Sequence, residues 1–189
     1  MYDLNSEAKT DYYPLPMFKK GDKVAHPIFG VGTISNIEEK HVLDKSEKYY
    51  ILDLTINQMT LMIPIRKASD IGLRKIVTKE KIPEILEVLS CDIDDMEQDY
   101  KSRIKSQLEM VDSGNLKKVA QVVKNYNRRK KTDTLSATEK SLLERARKIL
   151  TSEIRAVYNI DENEAKLMIK NYLKKYKKAE IKEDKKIGS

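Results

Sequence analysis

The apolar residues of this chain change their spacing once, near residue 78, from every second position to about every 3.6. A strand presents alternate residues to one face, and a helix presents every third or fourth. That switch divides the chain into a β part followed by an α part. In EKYYILDLTI, Leu52, Leu54 and Ile56 alternate with Asp53 and Thr55. In MTLMIPI, Met59, Leu61 and Ile63 share a face, and Asn57-Gln58 is the expected turn between the two strands.

The β part opens on GDKVAHPIFGVGTI, which holds three of the chain's six glycines. GDKVAHP reads as a strand turning at Pro27 to Gly30, GVGTISNIEEK as a second, and KHVLDKSE as a polar loop. Gly30 and Gly32 are expected to supply a tight turn and a bend. Neither GxGxxG nor GxxxxGK[ST] accompanies the GVG, so it is punctuation and not a phosphate loop. Four or five strands within about 55 residues predict a small SH3-like or Tudor-like barrel, because closing a sheet hides its edges.

In the α part, Pro83 sits in the first turn of a short helix with Ile82, Ile85, Leu86 and Leu89 on one side. An acidic turn, Asp92 to Asp95, leads into a helix over 95–112 with Ile104, Leu108 and Val111 facing inward and Ser113-Gly114 as its stop. Asn115 caps the next helix, striped by Leu116, Val119, Ala120 and Val123, and NRRKKTDT reads as a basic loop. Ser136 and Glu139 form a capping box opening a helix lined by Leu142, Leu143, Ala146, Ile149, Leu150 and Ile154. Asp161 and Glu164 repeat the device before Ala165, Met168, Ile169, Tyr172 and Leu173. The fold class is therefore α+β, with an N-terminal barrel at 17–75 and an all-α module at 78–176. Residues 1–16 form a leader and 177–189 a basic tail expected to fray. Met17, just after that leader, is an alternative start.

Charge points toward a partner. The chain carries +7, yet residues 1–78 hold 11 basic against 10 acidic side chains while residues 101–131 hold 10 against 2. A local excess of this kind suits a nucleic-acid face. The single cysteine, Cys91, allows no internal disulfide and fits a reducing, cytoplasmic setting. No apolar run reaches the ~18 residues of a membrane helix. His26 and His41 have no cysteine or carboxylate at metal-ligand spacing, and no nucleophile–base motif surrounds Cys91. The expectation is a non-enzymatic protein without metal or cofactor.

Several motifs coincide: F-K-x-G-D-x-V-x-x-P-x-x-G from Phe18, a strand ending in Ile63-Pro64, S-G-x-x-x-x-V-A-x-V-V from Ser113, and L-S-x-x-E-K from Leu135. In combination they resemble the CarD/CdnL family of bacterial RNA polymerase-binding transcription regulators, over roughly residues 17–175. The resemblance implies that the β module grips the protrusion of the polymerase β subunit, with Lys40, Met62 and Pro64 at the contact. Some relatives carry arginines where this chain has Lys40 and Met62, so Met62 makes the contact less electrostatic. It further implies that the helical module meets promoter DNA at the upstream edge of the −10 region, where the family sets a tryptophan against the minor groove. This chain has no tryptophan. A gapless count back from Ser113-Gly114 puts Tyr100 there, with Arg103 and Lys105 close by, whereas an alignment anchored earlier puts Met96 there. Lys140 falls on another DNA-contacting lysine of the family. From charge alone, Arg103, Lys105, Lys117, Lys118, Lys124, Arg128, Arg129, Lys130 and Lys131 are candidates to neutralise phosphates. The family's repair-coupling ATPase shares the β module, but no Walker motif is present here. The alternative reading is an architectural DNA-binding protein whose barrel docks some partner other than polymerase.

Overall fold

The computed structural model describes residues 17–42, 45–54, 59–91 and 96–187. Five strands, β1 (Lys23–His26), β2 (Gly30–Val42), β3 (Lys45–Leu54), β4 (Thr60–Pro64) and β5 (Arg74–Lys75), form one sheet in the order β4-β3-β2-β1-β5. Every neighbouring pair is antiparallel. Alternation places Val24, Ile34, Tyr50, Leu52, Leu54 and Ile63 in the core, closed by Phe18, whose amide donates to the Tyr50 hydroxyl at 3.1 Å. Asp53 stays exposed, as its place between Leu52 and Leu54 requires.

In the stretch expected to be a polar loop, residues 40–42 and 45–47 are strand instead. β2 and β3 pair to the end of a long hairpin, Lys40 opposite Glu47 and His41 opposite Ser46. Opposite charges across an antiparallel pair support pairing even where neither residue is apolar. Gly30 occupies the left-handed region at φ 78° and makes the turn. Gly32 acts differently, since a Cβ there would lie 2.6 Å from Leu52 Cδ1 and 2.7 Å from the Asp53 carbonyl oxygen. It admits β3 to close approach rather than bending the chain. The leader, the Asn57-Gln58 turn and the acidic turn Asp92–Asp95 lie outside the described residues.

Among the described residues five α-helices follow: α1 (Ile82–Glu87), α2 (Tyr100–Asp112), α3 (Leu116–Thr132), α4 (Ala137–Tyr158) and α5 (Glu162–Ile187). The expected stripes of α1, α3 and α4 form a second apolar core, with Ala165 and Ile169 of α5 against it. The capping box is present, Glu139 N donating to Ser136 Oγ at 3.2 Å and Ser136 N to Glu139 Oε2 at 2.9 Å. Asp161 and Glu164 repeat it at 2.9 and 3.0 Å. The ends of α3 and α5 differ from those the periodicity suggests. The NRRKK run continues α3, because it holds no breaker and Arg129 pairs with Asp133 one turn on at 3.2 Å. Helix α5 extends to Ile187, into the segment expected to fray.

The two cores meet where α4 packs on the sheet. Glu153 of α4 is wholly buried and accepts from Arg74 Nη1 at 2.7 Å, Arg74 Nη2 at 2.9 Å and Val77 N at 2.8 Å. Arg74 Nε also donates to the Gly114 carbonyl oxygen at 2.5 Å. Lys23 Nζ reaches the Ala156 carbonyl at 3.1 Å, and Val31 N the Ser152 hydroxyl at 3.3 Å. These contacts hold β1, β2 and β5 against one helix.

Candidate nucleic-acid interface and docking edge

Helix α2 starts at Tyr100, later than periodicity suggests, because the Asp99 carboxylate caps it by accepting from Ser102 N at 2.8 Å. Its buried face is also not the expected one. Arg103, Gln107 and Val111 point inward, while Ile104 is half-buried and Leu108 is exposed. The reason is Arg103. Its Nε donates to Glu139 Oε1 at 3.1 Å, and its Nη1 to the carbonyls of Glu97 and Gln98, each at 2.9 Å. Those partners satisfy a buried guanidinium and turn α2 about its axis. Burial pushes the Glu139 carboxyl up, but the Ser136 amide and Arg103 outweigh it and leave the carboxyl below its ordinary range.

The rotation puts Tyr100, Ile104 and Leu108 on the outer face at helical spacing. Tyr100 is 43% exposed, and its hydroxyl lies 3.3 Å from Ser136 Oγ, so one end of the ring rests on the start of α4. The Arg103 guanidinium lies 5.7 Å from the ring centroid. Met96 is partly buried and packs against the helical core. Of the two aromatic-position candidates, Tyr100 is thus the one presented to solvent. Lys105 and Lys140 are exposed, Lys140 one turn beyond the serine that meets Tyr100. Lys101, not among the residues expected at this face, is exposed beside them; its i, i+4 spacing to Lys105 was the available signal.

Other expected phosphate contacts are corrected by burial. Arg103, Lys124 and Arg128 are 5%, 2% and 8% exposed. Arg128 donates to the carbonyls of Leu89 and Cys91, closing the turn after α1. Lys117 is exposed and pairs with Glu84 at 2.8 Å; Lys118 and Lys130 are exposed, and the Lys131 side chain lies outside the described residues. A helix spends part of its basic residues on the core and on loop carbonyls, and charge counting does not distinguish these from surface lysines.

On the sheet, Met62 and Pro64 lie on β4, which pairs only with β3 among the described residues. Pro64 is opposite Tyr49, and Tyr49 is opposite Glu38, two residues from Lys40. Directly paired residues share a face, so Lys40, Met62 and Pro64 all lie on the outer one. Met62 is exposed, and Lys40 approaches Glu38 at 3.6 Å with both side chains in water. Arg66, just past β4, is 65% exposed and pairs with Glu47; it was not foreseen, because a lone arginine after a strand has no sequence signature.

A strand edge with an outer apolar-basic face is thus joined to helices bearing an exposed aromatic ring among lysines, in two modules. Among the described residues no three His, Cys, Asp or Glu side chains gather as a metal site, and no helix is long and apolar enough to cross a membrane. Residues 18–77 match the CarD-like/TRCF RID domain and residues 84–170 the CarD C-terminal domain. The chain is 31% identical over 150 residues to the "Putative transcription factor YdeB" of Bacillus subtilis (strain 168), covering 79% of this chain and 98% of that protein. The solved "CdnLNt from Myxoccoccus xanthus" is 37% identical over 35% of this chain and 94% of its own, with a TM-score of 0.30. The chain belongs to the CarD/CdnL family of transcription regulators.

Proposed function

We propose that the protein docks on the RNA polymerase β subunit through β4 and the outer sheet face, and holds promoter DNA at the upstream edge of the opening −10 region. A partner strand would extend the β4 edge, Met62, Pro64 and Lys40 supplying side-chain contacts. Tyr100 would stack at the disrupted base step, with Lys101, Lys105 and Lys140 on nearby phosphates. No chemistry is required: a protein that binds the open promoter better than the closed one shifts the equilibrium by that difference. The observation that carries this reading is the Tyr100 ring, exposed at a helix start and braced by Ser136 and Arg103. Stacking on an aromatic is worth roughly 1–3 kcal/mol per base, so Tyr100→Ala should shorten open-complex lifetime at least about fivefold, and Tyr100→Trp should lengthen it. Decay after competitor addition measures both. An unchanged decay in Tyr100→Ala, with polymerase binding intact, would remove the wedge.

A further inference from the structure

Helices α4 and α5 run side by side and leave a groove of about 470 Å³, floored by Thr151, Ser152, Ile169 and Leu173. That volume lies within the range of small-ligand sites. Five cations line it, Arg147, Lys148, Arg155, Lys166 and Lys170, against two carboxylates, Glu144 and Glu162. The carboxylates are already engaged: Glu144 by Arg147 at 2.6 Å, and Glu162 by Lys166 at 2.6 Å and Arg155 at 4.0 Å. Lys148 and Lys170 are exposed and make no hydrogen bond or ion pair among the described residues. The Nε of Arg155 is shut off from solvent and donates to no acceptor, so the groove wall holds an unanswered buried donor. Lys140 of the proposed DNA face is eight residues from Lys148 along α4, about 12 Å at the helical rise, so the groove adjoins that face without sharing its residues.

We propose that this groove binds a phosphorylated, nucleotide-sized metabolite. Lys148 and Lys170 take its phosphates, and a flat ring lies on Ile169 and Leu173. Excess positive charge selects an anion, the apolar floor selects a ring over a bare ion, and the volume limits its size. The two lysines supply point charge without fixed geometry. Occupancy would tie α5 to α4.

The test is calorimetric titration of the full chain with ATP, GDP, adenosine and inorganic pyrophosphate, together with a short duplex DNA. Saturable binding of at least one nucleotide is expected, weaker for pyrophosphate and undetectable for adenosine. Lys148→Ala and Lys170→Ala, both at exposed positions, should each weaken nucleotide binding about five- to tenfold, the loss of one charge-assisted contact. DNA affinity should hold in both. No saturable nucleotide binding, or binding indifferent to both substitutions, would overturn the site. Pyrophosphate as tight as nucleotide would overturn the role of the apolar floor. Substitutions that weaken duplex binding more than nucleotide binding would assign the lysines to DNA instead.

Discussion

Replacing Arg74 by alanine tests whether the two modules are held as one body. Glu153 is wholly buried, and Arg74 supplies two of the three hydrogen bonds that satisfy it. Without Arg74, the carboxylate keeps only the Val77 amide among the described residues, at a position closed to solvent. Removing one member of a buried pair costs about 3–5 kcal/mol, because the survivor remains desolvated. Arg74 is 30% exposed, which screens part of the pair and lowers the expected loss to about 3 kcal/mol. Urea unfolding followed by circular dichroism at pH 7 reads that loss directly. The double substitution Arg74→Met with Glu153→Leu should recover most of it, since apolar residues of similar volume leave no unpaired charge. The functional consequence is separable. Arg74→Ala should bind polymerase and duplex DNA nearly as well as the parent in separate assays, yet stabilise the open promoter less. A tethered DNA site gains effective concentration only while its geometry is held. A stability loss below about 1 kcal/mol would show that Glu153 is not stranded without Arg74, regaining water or a proton instead, and an unchanged open-complex lifetime would refute the coupling.

Arg103→Ala should destabilise the fold by up to about 3 kcal/mol in thermal or urea unfolding, because buried Glu139 loses its nearest cation and falls back on the Ser136 amide and on Arg129 at 3.6 Å. Lys105→Ala and Lys140→Ala should leave stability alone and each lower the salt dependence of DNA binding by about one phosphate. Gly32→Ala should cost about 1–3 kcal/mol in the same unfolding measurement, since a Cβ at 2.6 Å from Leu52 forces β2 and β3 apart. His26 must be neutral to accept from the Ile28 amide at 3.1 Å, and burial, then the Arg145 charge, holds its pKa below the ordinary 6.5. Its contribution is therefore complete above about pH 6.5 and is lost as pH falls toward the lowered folded value, so His26→Ala should flatten the acid side of the stability–pH curve.

Strand and helix were distinguishable from residue order alone wherever one face of an element is apolar. Leu52 and Leu54 alternate and are buried, and Leu142, Leu143, Ala146, Ile149, Leu150 and Ile154 recur at helical spacing and line one core. Short-range signals were legible for the same reason: the capping boxes of α4 and α5 and the turn at Gly30 depend on residues at most three or four apart. The family was legible because its motifs are local strings. Partnerships between distant residues, by contrast, were set only in three dimensions. The face of α2 that turns inward depends on Glu139, 36 residues away from Arg103, and a carboxylate at that distance leaves no periodic trace. By outranking the apolar stripe, this ion pair exposes Tyr100 and Leu108 and hides an arginine that charge counting placed on DNA. Gly32 answers to a neighbouring strand, and Glu153, one acid among several on an amphipathic helix, answers to Arg74 across the junction. Periodicity records how much apolar surface an element must hide. Which way an element turns when buried charges compete for that space is settled by the partners that can satisfy them.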